Sequence, residues 1–141
     1  LADFLGKPVV LYFYPRDNTP GCTKEACGIR DSWSEFERRG AVVLGVSPDS
    51  VSSHRRFKVK HGLPFTLLAD IDHEVAERYG VWKPKRFAGK TILGVVRSTF
   101  LIDAEGKIVK VWPKVDPATH ADLVIAELDS SDTGKRAEAR S

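Results

Sequence analysis

The sequence predicts an α/β domain, a mixed central sheet flanked by helices. Three observations carry that expectation. Apolar β-branched and aromatic runs alternate with helical apolar stripes in the first half of the chain. A turn-linked pair of strands follows near residue 100, and one more helical stripe closes the pattern.

The elements follow in order. Val9 to Tyr14 is an apolar run closed by Pro15, as expected of a buried strand. A turn rich in Asp, Asn, Thr, Pro and Gly leads to a helix predicted over about Cys22 to Arg39. Its stripe is Cys22, Ala26, Ile29, Trp33 and Phe36, and Gly40 caps its end. Ala41 to Val46 is a second buried strand. Ser47-Pro48-Asp49-Ser50 offers capping groups for a helix over about Val51 to His61, closed by Gly62. Phe65 to Leu68 is a short apolar run, and Asp70 or Asp72 can cap a short helix reaching Tyr79-Gly80.

Lys83 to Gly94 is the least regular stretch, interrupted by Pro84, Gly89 and Gly94. Val95 to Ile102 is predicted as a strand, Asp103 to Gly106 as a turn, and Lys107 to Trp112 as the hairpin partner. Pro117 opens a last helix with the stripe Ala121, Val124, Ile125 and Leu128. From Asp129 onward no apolar residue is larger than Ala, so 129–141 is expected to be a disordered tail beyond a single domain over 1–128. Parallel strands joined by helical crossovers, followed by a hairpin and a helix, give the element order of a thioredoxin-like domain.

Bulk properties exclude several classes. A chain of 141 residues is normally one domain. Net charge of +3 and the lack of any long Lys/Arg run give no footprint for nucleic acid. No apolar run is long enough to span a membrane, and no secretory signal is visible. Two cysteines are too few for a secreted disulfide scaffold, so a reducing, cytoplasmic setting with a functional cysteine pair is expected.

That pair is Cys22 and Cys27. Cys22 falls at the predicted first turn of a helix, where unpaired backbone N–H groups and the helix dipole favour thiolate over thiol. A reactive cysteine with a near neighbour suits a site that forms sulfenic acid and then a disulfide. In an intact helix, residues five apart differ by roughly 7.5 Å of rise and about 140° of rotation. Their Cα atoms would lie about 8.6 Å apart, beyond the roughly 7 Å that a disulfide tolerates. A bond between them therefore requires local unwinding.

The run Tyr12-Phe13-Tyr14-Pro15, the pattern Pro15-x-x-x-Thr19-x-x-Cys22, the spacing Cys22-x-x-x-x-Cys27 and the run Arg97-Ser98-Thr99-Phe100-Leu101-Ile102-Asp103 are highly specific together. Through them the chain resembles the peroxiredoxin Q group, also called bacterioferritin comigratory proteins, from about Gly6 to Leu128. The resemblance implies a peroxidase acting on hydrogen peroxide and organic hydroperoxides, with thioredoxin or a glutaredoxin-type protein as reductant. It implies Cys22 as peroxidatic cysteine, Cys27 as resolving cysteine, and Pro15, Thr19 and Arg97 as the rest of the site. It implies no cofactor. With the resolving cysteine in the same chain, no partner subunit is required, and a monomer is expected. The family usually begins with an N-terminal β-hairpin that this sequence does not show.

The residue types fit the chemistry. A thiolate must attack a peroxide oxygen while charge on the leaving oxygen is stabilised. Arg97 stays charged and offers a fork of donors that can reach both sulfur and peroxide. The Thr19 hydroxyl can donate to one oxygen and accept from the other, and Pro15, lacking an N–H, can wall the pocket. Each has a plainer reading. Taken alone, Cys22 is a small core residue, Cys27 an incidental thiol, Thr19 a helix cap, Pro15 a strand terminator and Arg97 a solvated charge.

His54, His61, His73 and His120 lack the partners of a tetrahedral metal set. Trp82 and Phe87 are candidates for the substrate mouth. Lys83, Lys85, Arg86 and Lys90 read as a solvated loop, with docking of a reductant as the lesser option. A protein disulfide oxidoreductase is the competing function, and the missing Cys-x-x-Cys spacing argues against it. A non-catalytic binding module would leave the whole constellation unused.

Overall fold

Five strands form the central sheet in the order β3-β2-β1-β6-β7, with β1 over Val9–Phe13, β2 over Val42–Ser47, β3 over Thr66–Ala69, β6 over Ser98–Ile102 and β7 over Ile108–Trp112. The computed structural model describes residues 6–87, 89–113 and 115–129, excluding the side chains at 86 and 87. The expected tail beyond 129, and the Phe87 and Arg86 side chains, lie outside this set. β1 runs parallel to β2 and antiparallel to β6, so the sheet is mixed, as the element order predicts. All five residues of β1 are buried because the strand is central and covered on both faces. Its alternate residues serve two cores. Val10 and Tyr12 pack with Ile29, Phe36 and Phe57, whereas Val9, Leu11 and Phe13 pack with Leu44, Val81 and Phe100.

The long helix expected over Cys22 to Arg39 is two helices. α1 covers Pro20–Asp31 and α2 covers Trp33–Arg38, with Ser32 between them at φ −103° and ψ 15°. The Ser32 N–H is shared between the Gly28 and Ile29 carbonyls, a tightened last turn that ends the α1 ladder. The apolar stripe survives the break, so Ile29 and Phe36 remain fully buried. Gly40 closes α2 at φ +66°. α3 covers Val51–His61, begins with the Ser50 hydroxyl accepting from Ser53 N–H, and ends at left-handed Gly62. α4 covers Glu74–Arg78. Of the two candidates, Asp70 caps it, accepting from the Val75 and Ala76 N–H groups.

Three further expectations are corrected. The irregular stretch is a hairpin, β4 over Trp82–Phe87 paired antiparallel with β5 over Lys90–Val95, with Gly89 at its turn. Pro84 is tolerated because each strand of a two-stranded sheet has an open edge. The single strand expected over Val95 to Ile102 is split at Val96-Arg97, so β5 leaves one sheet and β6 enters the other. The last helix, α5, runs 120–129 after a turn at 117–119, three residues later than Pro117. Asp116 accepts from the Ala118 N–H within that turn.

Gly45 on β2 stands beside Tyr12 on β1 with no room to spare. A Cβ there would lie 2.9 Å from the Tyr12 ring and hydroxyl and from Leu67 Cδ2. Gly45→Ala should lower stability by about 1–3 kcal/mol through overpacking. A urea or thermal unfolding midpoint equal to that of the parent protein would refute the close approach.

Candidate active site

Cys22 is the third residue of α1, after Pro20 and Gly21. Pro20 suits the first turn because its missing N–H would have had no intrahelical partner. Cys22 is buried at 2% exposure, and Cys27 is half-buried on the same helix; both thiols are free. Because α1 is continuous from Pro20 to Asp31, the separation worked out from helix geometry applies.

Arg97 reaches this helix from the link between β5 and β6. Its Nη2 donates to Cys22 Sγ at 3.2 Å and its Nη1 to Glu25 Oε1 at 2.7 Å. One planar fork therefore ties together a sulfur and a carboxylate that are one turn apart. Burial works against the guanidinium charge, but Glu25 and Cys22 more than offset it. Thr19 is the residue just before α1. Its hydroxyl makes no cap and donates instead to the Arg16 carbonyl at 2.8 Å. Its hydrogen is thus committed, leaving lone pairs to accept, where the sequence suggested both roles. Pro15 lies half-buried in the loop between β1 and α1.

A buried brace holds that loop. Asp17 Oδ1 accepts from the Tyr14 hydroxyl at 2.6 Å, and Oδ2 meets the Ser53 hydroxyl and His54 Nδ1, each at 2.8 Å. The other His54 nitrogen lies 3.0 Å from the Leu68 carbonyl. Two acceptors on one imidazole favour the doubly protonated cation. Burial alone would lower the His54 pKa, yet Asp17 and the carbonyl raise it; hydrogen bonds likewise hold Asp17 low against burial. Asp49 Oδ2 accepts from Asp17 N–H and the Ser47 hydroxyl. Asp17, Asp49 and His54 have metal-ligand chemistry within 4.8 Å, but these atoms are already engaged in hydrogen bonds.

Three residues were not foreseen as part of the site. Glu25 is 1% exposed, and burial, only partly offset by Arg97, pushes its pKa up to about 7. His120 Nδ1 lies 3.1 Å from Glu25 Oε2, off the line of a full hydrogen bond, and His120 Nε2 lies 2.7 Å from the Thr99 hydroxyl. Gly21 gives Arg97 its space, since a Cβ there would sit 3.1 Å from Nη2. The signal for Glu25 was its position three residues after Cys22, and for His120 its helical spacing with Val124 and Leu128.

Residues 1–111 match the AhpC/TSA family. Peroxiredoxin Bcp of Bacillus subtilis is 55% identical over 120 residues, covering 85% of this chain and 76% of that protein. A Bcp-type relative from Coxiella burnetii is 56% identical over 128 residues, covering 91% and 85%. The chain belongs to the AhpC/TSA family, among its Bcp and peroxiredoxin Q members. The bacterioferritin comigratory protein of Xanthomonas campestris, solved in a study of its alkyl peroxide reduction, superposes with a TM-score of 0.87. It is 44% identical, covering 92% of this chain and 83% of that one.

This peroxiredoxin is a thiol peroxidase that reduces peroxides through cysteine chemistry, with a redox protein as its partner. Its mixed α/β fold is the thioredoxin-like one. Among the described residues no helix is long and apolar enough to cross a membrane.

Gly21→Ala should shift the Arg97 guanidinium slightly and spoil its alignment on the sulfur while the fold is kept, because the end of that side chain yields more easily than the backbone. The expected outcome is peroxide reduction slowed by about tenfold or more, with an unchanged unfolding midpoint. Full peroxide rates in this variant would show that the 3.2 Å contact is dispensable.

Proposed function

We propose that Cys22 is the peroxidatic thiol, Cys27 the resolving thiol, and Arg97, Thr19 and Pro15 the groups that position peroxide. The observation that carries this reading is the Arg97 contact to Cys22 at a helix N-terminus. The Cys22 thiol sheds its proton and the thiolate attacks one oxygen of ROOH. The S–O bond forms, the O–O bond breaks, and RO⁻ takes up a proton to leave as alcohol or water. Sulfur is oxidised to sulfenic acid and peroxide is reduced.

Each neighbour has one task. Arg97 donors stabilise the sulfur and the charge growing on the leaving oxygen. Thr19, its hydrogen given to Arg16, accepts from the peroxide O–H. Pro15 walls the pocket without adding a donor. Cys27 then attacks the sulfenic sulfur, an S–S bond forms and water leaves. A dithiol protein of the thioredoxin or glutaredoxin type reduces the disulfide. Hydrogen peroxide and small organic hydroperoxides are the substrates. The protein acts as a monomer in the cytoplasm, since both cysteines lie on one helix and need a reducing compartment.

Cys22→Ser should abolish peroxide reduction. Cys27→Ser should react once and hold a sulfenic acid at Cys22 that dimedone traps, as read by mass. Continued thioredoxin-linked turnover by Cys22→Ser would overturn the assignment.

Forming the disulfide should unwind the first part of α1 and leave the rest of the domain folded. Hydrogen exchange of reduced and peroxide-treated protein should show protection lost mainly between about Gly21 and Arg30, stopping before α2. Equal protection of that segment in both states would rule out local unwinding.

A further inference from the structure

Beyond the cysteine–arginine contact a polar chain continues into the interior. It runs from Cys22 Sγ to Arg97, from Arg97 to Glu25, from Glu25 to His120 and from His120 to Thr99. Thr99 is fully buried, and Glu25 and His120 are each 1% exposed. Glu25 Oε2 and His120 Nδ1 have no hydrogen-bond partner among the described residues, so each faces chiefly the other. A buried carboxylate and imidazole whose facing atoms lack a full hydrogen bond are costly to keep in the interior. What Glu25 holds is the Arg97 fork.

The hydroxyl at the far end gives the chain an unusual capacity. With Glu25 ionised, His120 presents Nδ1–H to Oε2 while Nε2 accepts from the Thr99 hydroxyl. With Glu25 protonated, its O–H faces Nδ1 while Nε2–H donates to Thr99. The two arrangements differ by one proton, and in each of them His120 turns a complementary face to Oε2 and keeps its contact with the Thr99 hydroxyl. A Leu or Val at either position would leave one of them unmatched.

We propose that His120, oriented by Thr99, is a positioning residue for the peroxidatic reaction. It supports Glu25 in both protonation states and thereby sets how firmly Arg97 is shared between Glu25 and the Cys22 sulfur. An ionised Glu25 competes with the thiolate for the guanidinium; a protonated Glu25 holds it without competing. The proposal rests on Cys22 being the attacking thiol.

The charges agree with this. Burial raises Glu25 to about 7, so it changes state near neutrality. Burial and the Arg97 charge lower His120 to about 4, so it stays neutral there. The titratable groups facing the pair are Cys22 on α1, Arg97 on the β5–β6 link and Tyr12 on β1, whose ring lies 5.6 Å from the imidazole. Lys85 on β4 and Asp17 on the β1–α1 loop act from farther out, on Arg97 and on Tyr12. The Tyr12 phenol is held far up by burial and by Glu25, so it does not titrate in this range. Replacing neutral His120 therefore removes hydrogen-bonding support without removing a charge.

The test follows the Glu25 carboxyl by ¹³C NMR against pH, beside the peroxide rate constant over the same range. His120→Leu should move the Glu25 midpoint upward by about one pH unit, because losing a partner costs the carboxylate more than the acid. The neutral-range inflection in the rate should move with it. His120→Gln, whose amide can donate to Oε2, should bring both back toward the parent values. A folded His120→Leu protein with an unmoved midpoint, or with a rate profile that does not follow the midpoint, overturns the proposal. If His120→Leu does not fold, the near-isosteric Thr99→Val decides by the same readout: a displaced Glu25 midpoint with a rate profile that follows it supports the proposal, and an unmoved midpoint overturns it. Absence of peroxide reduction in the parent protein would instead sink the assignment of Cys22.

Discussion

The Arg97 guanidinium, lodged between the Cys22 sulfur and the Glu25 carboxylate, is the interaction on which the site depends. Its two donors meet groups three residues apart on one helix, so the fork fixes both the rotation of α1 and the place of the sulfur. Planarity makes this possible, and a lysine could not span the two acceptors in one fixed geometry. The fold is arranged to deliver that fork. β5 belongs to the outlying hairpin and β6 to the main sheet, and Arg97 sits where the chain passes from one to the other. Gly21 clears the approach from the helix side.

A second set of contacts keeps the loop before the helix in place. The β1–α1 loop carries Pro15 and Thr19, and it has no secondary structure of its own. Asp17 pins it to α3 through Ser53 and His54, and His54 in turn reaches the end of β3. The signs of the two shifts define a window. The raised His54 pKa contributes stability that is lost as pH rises through its folded value. The lowered Asp17 pKa contributes stability that is lost as pH falls through its own. Between those limits the brace is a closed ion pair.

Much of this was legible in the residues. β1 and β2 are unbroken apolar runs, and α1 and α5 show clear helical stripes, because those elements face large cores. The β4–β5 hairpin was not legible because the described side chains in it are mostly exposed, so neither strand carries an apolar alternation. Its identity lies in backbone pairing, which composition does not reveal. The break at Ser32 was hidden for the opposite reason, since the stripe passes through it undisturbed. At the site, Cys22, Thr19 and Arg97 stood out by motif. Glu25 and His120 did not, because a polar residue inside a helical stripe reads as a flaw in the stripe until its partner is seen.

The break at Ser32 also limits how far damage to α1 can travel. Helical hydrogen bonding is cooperative along one uninterrupted ladder. The α1 ladder stops at Ser32, and α2 starts afresh beneath Trp33 and Phe36, with Phe36 fully enclosed in the core. An opening that begins at Cys22 consumes at most the twelve residues of α1. The seam works like a perforation across a sheet of paper, so the tear runs to a place set in advance. A single unbroken helix to Arg38 would couple any such opening directly to the packing of Phe36.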